Sequence, residues 1–410
     1  MTMRVAITAR SVFPLHGLGG LERSVYDLAR HLVREGVRVT LITRPATHPG
    51  DVHPEISIQF VPYRTFPFAG RKGTTVVDRS TAYPRFGVRA GEAAATLVAR
   101  GEIDIVHGFG ASVLGYARQR ARSGAPLVLN PQGMEEFGAT DPSHARLKRL
   151  AYLPLRRAVR ECAAAADAVI ATDRALVPVV RRHLGVAGER IATIPNALDL
   201  ENLDALATPA DGAAIRSSSG VQDDLVLLSV GRIEENKGFH LLAQALAALR
   251  EHSGRLAGGR WRWVLVGDGP HRGRLESLID SLGLARHVVL AGRVPDPDLH
   301  AWYEAADLFV HPTLYEGSSL VTLEAMAHRR ACVVTDAGGL PDKVRNGVNG
   351  WIVPAGDPAA LTAALSGALE DPVRLQEMGA AGRRIVEEEF SWKATVRQTL
   401  ALYDRLLRRP

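Results

Sequence analysis

Short runs of β-branched and other apolar residues alternate along most of the chain with longer stretches whose apolar positions recur every three or four residues. The short runs predict strands near Val5–Ala9, Val37–Thr43, Ile56–Pro62, Ile103–His107, Leu127–Asn130, Ala168–Ala171 and Ile191–Pro195 in the first half. In the second half they fall near Leu225–Gly231, Trp263–Gly267, Val288–Ala291, Leu308–His311, Ala331–Thr335 and Gly350–Val353. The amphipathic stretches between them predict helices, among them Leu21–Glu35, Gly110–Arg122 and Ala145–Ala164. Strands separated by helices predict an α/β chain with doubly wound parallel sheets covered on both faces. Such sheets bind ligands outside the carboxyl ends of their strands, so the strand-to-helix loops are where chemistry is expected.

At 410 residues the chain exceeds what one hydrophobic core serves, which predicts two domains. The stretch from Asn196 to Val221, with Pro209, Gly212 and Ser217-Ser218-Ser219-Gly220, is polar and rich in Ser and Gly. It predicts the boundary, giving domains over 1–200 and 201–392. The composition, 46% hydrophobic and 23% charged, is that of a globular chain. No apolar run reaches the ~18 residues that cross a bilayer. The start reads as a first strand and not as a signal peptide, so a cytoplasmic location is expected. Cys162 and Cys332 have no CxxC partner, fit a reduced compartment and are expected to be small core residues.

The net charge of +6 and pI near 9.5 suit polyphosphate ligands, anionic membrane surfaces or nucleic acid. Basic residues are not interleaved with stacking aromatics, which argues against nucleic acid. Lysine occurs only at Lys72, Lys148, Lys237, Lys343 and Lys393, which singles out any lysine inside a motif. Between Ser143 and Cys162, six basic residues alternate with leucine and valine, the pattern of a helix that lies on an anionic membrane, although Pro154 interrupts it.

Several loops carry candidate chemistry. Gly17-Leu18-Gly19-Gly20 precedes a helix, where glycines and free N–H groups accept a phosphate. The GxGxxG dinucleotide spacing is absent. Gly231 to Gly238 holds Arg232 and Lys237, a guanidinium fork and an ammonium placed to clamp a diphosphate. Val264-Leu265-Val266-Gly267-Asp268-Gly269-Pro270 is a strand ending in a glycine turn. In the segment from Tyr315 to Glu324, Glu316 and Glu324 flank seven residues, and a helix is expected to start at Ser318 or Ser319. Glu324 lies among Leu320, Leu323, Ala325 and Met326, so it reads as a half-buried carboxylate that needs a partner. Asn130 to Phe137 follows a strand and offers the polar groups of Gln132 and Glu135 for a ligand.

Taken together, Gly231-Arg232 through Lys237-Gly238, Val266 to Pro270, Glu316-x7-Glu324 and Gly338-Gly339-Leu340-Pro341 resemble the family 4 glycosyltransferases. The resemblance implies a GT-B fold, two Rossmann-like domains facing across a cleft, with the C-terminal helix (393–410) returning to the first domain. It implies that Arg232 and Lys237 bind the donor diphosphate, Glu324 the ribose and Glu316 the donor sugar. It further implies that the backbone from Gly317 through Ser318, Ser319 and Leu320 to Val321 holds phosphates and sugar. The loop with Arg293 and Val294 would lie against the base, Gly267 would line the donor site, and Gly19 and Gly20 would close over the diphosphate. Three departures are visible. The family's His-x-His is His107-Gly108-Phe109, which leaves His107 as the catalytic candidate beside Glu316. The usual Glu-Gly-Phe-Gly is Glu316-Gly317-Ser318-Ser319, and Asp342 stands where Glu is common.

The expected activity is retaining transfer from a UDP- or GDP-linked sugar to a sugar, lipid-linked or small-molecule hydroxyl acceptor, without a metal or other cofactor. The rivals are an epimerase or hydrolase of the same fold, and a sugar-nucleotide-binding protein that has lost catalysis.

Overall fold

The computed structural model describes residues 2–17, 20–48, 50–65, 75–132, 134–137, 150–252 and 260–408. The chain forms two compact units, Met1–Asn196 with Trp392–Pro410, and Ala197–Ser391.

The first unit is built on a parallel sheet of β1 (Arg4–Thr8), β2 (Arg38–Thr43), β3 (Ser57–Phe60), β4 (Ile105–Phe109), β5 (Leu127–Asn130), β6 (Ala168–Ala171) and β7 (Ile191–Thr193). Their spatial order is β3-β2-β1-β4-β5-β6-β7. The central strands β4, β5 and β6 are buried along their whole length, which is why they read as unbroken apolar runs. The edge strand β3 alternates poorly and leaves Phe60 exposed. The terminal helix Trp392–Leu407 belongs to this unit and buries Trp392, Val396, Leu402, Tyr403 and Leu406. Thr395 Oγ1 donates to the Pro195 carbonyl at 3.2 Å, joining the end of the chain to the end of β7's connection.

The second unit holds β8 (Leu225–Val230), β9 (Trp261–Val266), β10 (Val288–Gly292), β11 (Leu308–His311), β12 (Ala331–Thr335) and β13 (Gly350–Val353). All are parallel, in the order β10-β9-β8-β11-β12-β13. One apolar layer contains Phe239, Leu246, Trp261 and Trp263, and the other Tyr303, Phe309, Met326 and Val386. Each large apolar side chain removed from water contributes about 1.5–3 kcal/mol, so both faces are firmly held.

Two expectations change. The stretch 196–221 is not a loose connector: it carries the helices Leu200–Asp204 and Pro209–Ser218. Asp199 caps the first, and Thr208 with Asp211 forms a capping box on the second. Pro209 sits at the first helical position, where its missing N–H is not needed. The chain passes between units at Asn196–Ala197, at the very start of that stretch. The helix expected over Ala145–Ala164 is seen as Leu153–Ala165, with Pro154 in its first turn where the missing N–H is not needed. Residues 141–149 lie outside the described residues. Leu155, Val159 and Cys162 face the core, while the Arg156 and Arg160 guanidiniums lie over the Phe137 ring at 5.2 and 5.4 Å. Part of the basic face is therefore engaged within the protein. No described helix is long and apolar enough to cross a membrane. Cys162 and Cys332 are buried free thiols, and burial pushes both thiols well above their usual range.

Candidate active site

In the second sheet β8 and β11 are neighbours although not consecutive, so the loops that follow them leave in opposite directions and open a crevice. These loops carry 231–238 and 312–319, and they are tied together. The Asn236 carbonyl accepts from Leu314 N at 2.8 Å and from Thr313 Oγ1 at 3.0 Å. Thr335 Oγ1, at the end of β12, donates to the Thr313 carbonyl at 2.6 Å.

Glu316 sits at this junction. Its Oε2 accepts from Lys237 Nζ and from His311 Nε2, each at 2.8 Å, and its Oε1 accepts from Gly317 N at 3.2 Å. Burial alone would raise the carboxyl pKa, but the His311 hydrogen bond and the Lys237 charge outweigh it and hold the group down to about 2. His311 is fully buried, and burial lowers its own pKa despite the carboxylate. Because the carboxylate accepts, His311 Nε2 carries a proton. The site thus presents a fixed carboxylate and a fixed ammonium.

Ser319 N-caps the helix Leu320–Ala327, its Oγ accepting from Thr322 N, and Leu323, Ala325 and Met326 root the helix in the core. The helix therefore begins one turn from the ion pair, bringing N–H groups and the positive end of its dipole to the crevice. Glu324 lies half-buried on this helix. Its expected partner is Tyr303, whose hydroxyl donates to Glu324 Oε2 at 2.9 Å. The Tyr303 ring stacks on His328 at 5.5 Å. His328 Nδ1 donates to Glu304 Oε1 at 2.6 Å, and its Nε2 is 2.7 Å from His300 Nδ1. A buried network thus orients the carboxylate.

The remaining positions expected on the donor side lie in other loops of the second unit. Arg232 is 68% exposed and pairs with Glu234 at 2.9 Å. Gly267 follows β9 with φ +139°, and a Cβ there would lie 1.9 Å from the Gly231 carbonyl oxygen. Only glycine permits that approach. Arg293 is exposed and Val294 half-buried, in the loop between β10 and the helix Asp296–Ala305. Gly338 has φ +55°, and a Cβ there would lie 1.8 Å from the Glu316 carbonyl oxygen, so the Gly338-Gly339 turn supports the loop from beneath.

In the first unit the candidates are less concentrated. His107 is buried on β4, stacked on Phe109 at 5.0 Å, with Nδ1 2.6 Å from the Tyr403 hydroxyl. Burial drives its pKa down to about 3, so the ring is neutral. Gln132 follows β5 with a left-handed φ of +60°, as does Met134 at +52°. Non-glycine residues there are held by their surroundings and concentrate at functional loops. The Gln132 amide Nε2 is buried and has no partner among the described residues. Glu135 lies in the short 3-10 turn Glu135–Phe137. Gly20 opens the helix Gly20–Arg34, and Gly19 lies outside the described residues.

Two residues of these networks carry no mark in the sequence: His311 ends a strand, and Tyr303 looks like a core aromatic.

Residues 18–202 match the family described as Glycosyltransferase Family 4, and residues 212–385 match Glycosyl transferases group 1. The D-inositol 3-phosphate glycosyltransferase 1 of Catenulispora acidiphila is 32% identical over 94% of this chain and 90% of its own length. The GDP-mannose-dependent alpha-(1-6)-phosphatidylinositol monomannoside mannosyltransferase of Mycolicibacterium smegmatis is 32% identical over 45% of this chain and 49% of its own length. Among solved structures, sucrose-phosphate synthase from Thermosynechococcus elongatus superposes with a TM-score of 0.75 at 23% identity, covering 98% of this chain and 99% of that one. Anabaena HepE in complex with UDP-glucose does so at 0.68 and 22% identity, covering 98% and 100%.

Proposed function

The chain belongs to the family 4 glycosyltransferases of GT-B fold, and from that premise we propose that it moves a glycosyl group from a nucleoside diphosphate sugar to a hydroxyl acceptor with retention of configuration. The observation that carries this reading is the Lys237–Glu316–His311 cluster at the β8/β11 switch point, beside the start of the helix Leu320–Ala327.

In this reading the diphosphate lies across the helix start. Lys237 faces it as a point charge, and Arg232 turns from its rim partner Glu234 to grip it. Charge develops on the diphosphate as the bond to the sugar breaks, and cations and N–H groups already in place stabilise it without reorganising. Glu316 stays ionised and accepts from sugar hydroxyls, with His311 fixing its position. Glu324, oriented by Tyr303, takes the ribose hydroxyls, and the Arg293-Val294 loop lies against the base. The acceptor hydroxyl approaches the face that the diphosphate leaves and passes its proton to the departing phosphate oxygen. His107, packed on Tyr403, is given a structural part and no step. The strained Gln132 loop is assigned to the acceptor. No metal is invoked, and the enzyme is placed in the cytoplasm.

The donor base is proposed as uracil or guanine. HepE, of the same fold, holds UDP-glucose, and a relative in sequence is named for GDP-mannose. A hydroxyl acceptor is supported by relatives named for D-inositol 3-phosphate.

The test is nucleoside diphosphate release from a panel of UDP- and GDP-sugars, with and without polyol and sugar acceptors. Acceptor-dependent release is expected. Glu316→Gln should slow transfer by about 10²-fold or more, the scale of losing one preorganised electrostatic group, while nucleotide binding survives. Release into water alone would make the protein a hydrolase. Transfer unaffected by Glu316→Gln would sink the site assignment.

A further inference from the structure

Lys343 is 1% exposed, and its ammonium is buried directly under the loop that follows Glu316. Nζ donates to the Gly339 carbonyl at 3.2 Å and to Ser318 Oγ at 3.4 Å, and lies 5.9 Å from the centre of the Phe390 ring. A carbonyl, a hydroxyl oxygen and an aromatic face thus lie around the ammonium. The two loops are also joined through their backbones, Gly339 N donating to the Gly317 carbonyl at 3.2 Å. Lys343 is thus held between the Glu316 loop and the Gly338-Gly339 turn.

The contact has a consequence for Ser318. An ammonium only donates, so the Ser318 oxygen accepts from Lys343 and its own proton is directed elsewhere. Ser318 is half-buried, one residue before the N-cap Ser319, in the loop that carries Glu316. Ser318 replaces the phenylalanine of the usual Glu-Gly-Phe-Gly, and the Lys343 ammonium lies where a larger side chain at 318 would reach.

We propose that Lys343 and Ser318 form a specificity device in the donor site, a charge-backed hydroxyl that selects nucleoside diphosphate sugars bearing a carboxylate. This rests on the donor-site reading above. A carboxylate accepting from the Ser318 hydroxyl would lie within about 6 Å of the ammonium. At that range, in a partly buried site, a full opposite charge is favoured over a neutral hydroxyl by an order of magnitude or more in affinity. A free diphosphate, held at the helix start and by Lys237, gains less from Lys343.

The experiment is calorimetric titration of the purified full-length protein with UDP, UDP-glucose and UDP-glucuronate, and with GDP, GDP-mannose and GDP-mannuronate. If none of the six binds the unaltered protein, the donor reading falls and this proposal with it. If a nucleotide binds, the uronate of that base should bind about tenfold or more tightly than its neutral counterpart. Lys343→Met, close in length and volume, should abolish that preference while leaving the free diphosphate within about twofold. Ser318→Ala should abolish it with the lysine still in place, so the proposal stays testable if Lys343→Met does not fold. Equal binding of uronate and hexose by the unaltered protein would overturn it. So would a preference that survives both substitutions, or a Lys343→Met protein that loses UDP or GDP as much as the uronate.

Discussion

Glu316 concentrates two partners on one oxygen, and this makes its charge a property of the fold. The carboxyl is lowered from its ordinary 4.5 to about 2, so folding favours its ionised form. Stability from this group is fully present above about pH 4.5 and drains away as pH falls towards 2. Urea denaturation of the protein and of Glu316→Gln should therefore diverge least near pH 2 and most above pH 4.5. Parallel curves across that window would mean that the carboxylate is not held as described. At this scale the sequence was informative where function fixes a spacing. Glu316, Glu324, Arg232 and Lys237 stand out by position in their loops. His311, Tyr303 and Lys343 do not, because they meet their partners only after distant segments pack. Tyr303 precedes Glu324 by a helix end, a whole strand and a loop, and nothing local in the sequence links them.

The loops around the crevice work because backbones approach where side chains would not fit. Gly338 carries φ +55° and has the Glu316 carbonyl against it, whereas Gly347, at φ +79°, has open space where a Cβ would go. Alanine at either site takes on the left-handed strain of about 1–2 kcal/mol. Only Gly338→Ala must also displace the loop that carries Glu316. Chemical denaturation should show Gly338→Ala as clearly the more destabilised of the two, with donor binding lost as well. Equal losses would indicate that the turn does not support the loop. The strands were the most legible elements, since parallel strands buried on both faces read as short apolar runs, and each expected run matches a strand to within a few residues. The stretch 196–221 reads as a boundary because of Pro209, Gly212 and the run Ser217 to Gly220. Pro209, Gly212, Ser217 and Ser218 lie inside a helix that Thr208 and Asp211 cap, which composition alone does not reveal.

At the scale of the whole molecule, two sheets of the same doubly wound type carry unlike equipment. The strand order of the first reverses between β1 and β4, where His107 is turned into the core against Tyr403. The second reverses between β8 and β11, where an ammonium, an ionised carboxylate and a helix start converge. The alternation of strands and helices made the fold class legible. That His107 at the first switch point is turned into the core was not, because it depends on the distant Tyr403 packing against it. Under the proposed function the diphosphate of the donor lies in the second unit. The most direct measurement is the electron density of crystals soaked with UDP or GDP. The diphosphate should lie at the start of the helix Leu320–Ala327, within hydrogen-bonding distance of Lys237 Nζ, with the ribose hydroxyls on Glu324. A nucleotide held instead by the loops after β1 or β4, with the Lys237–Glu316 pair untouched, would contradict it.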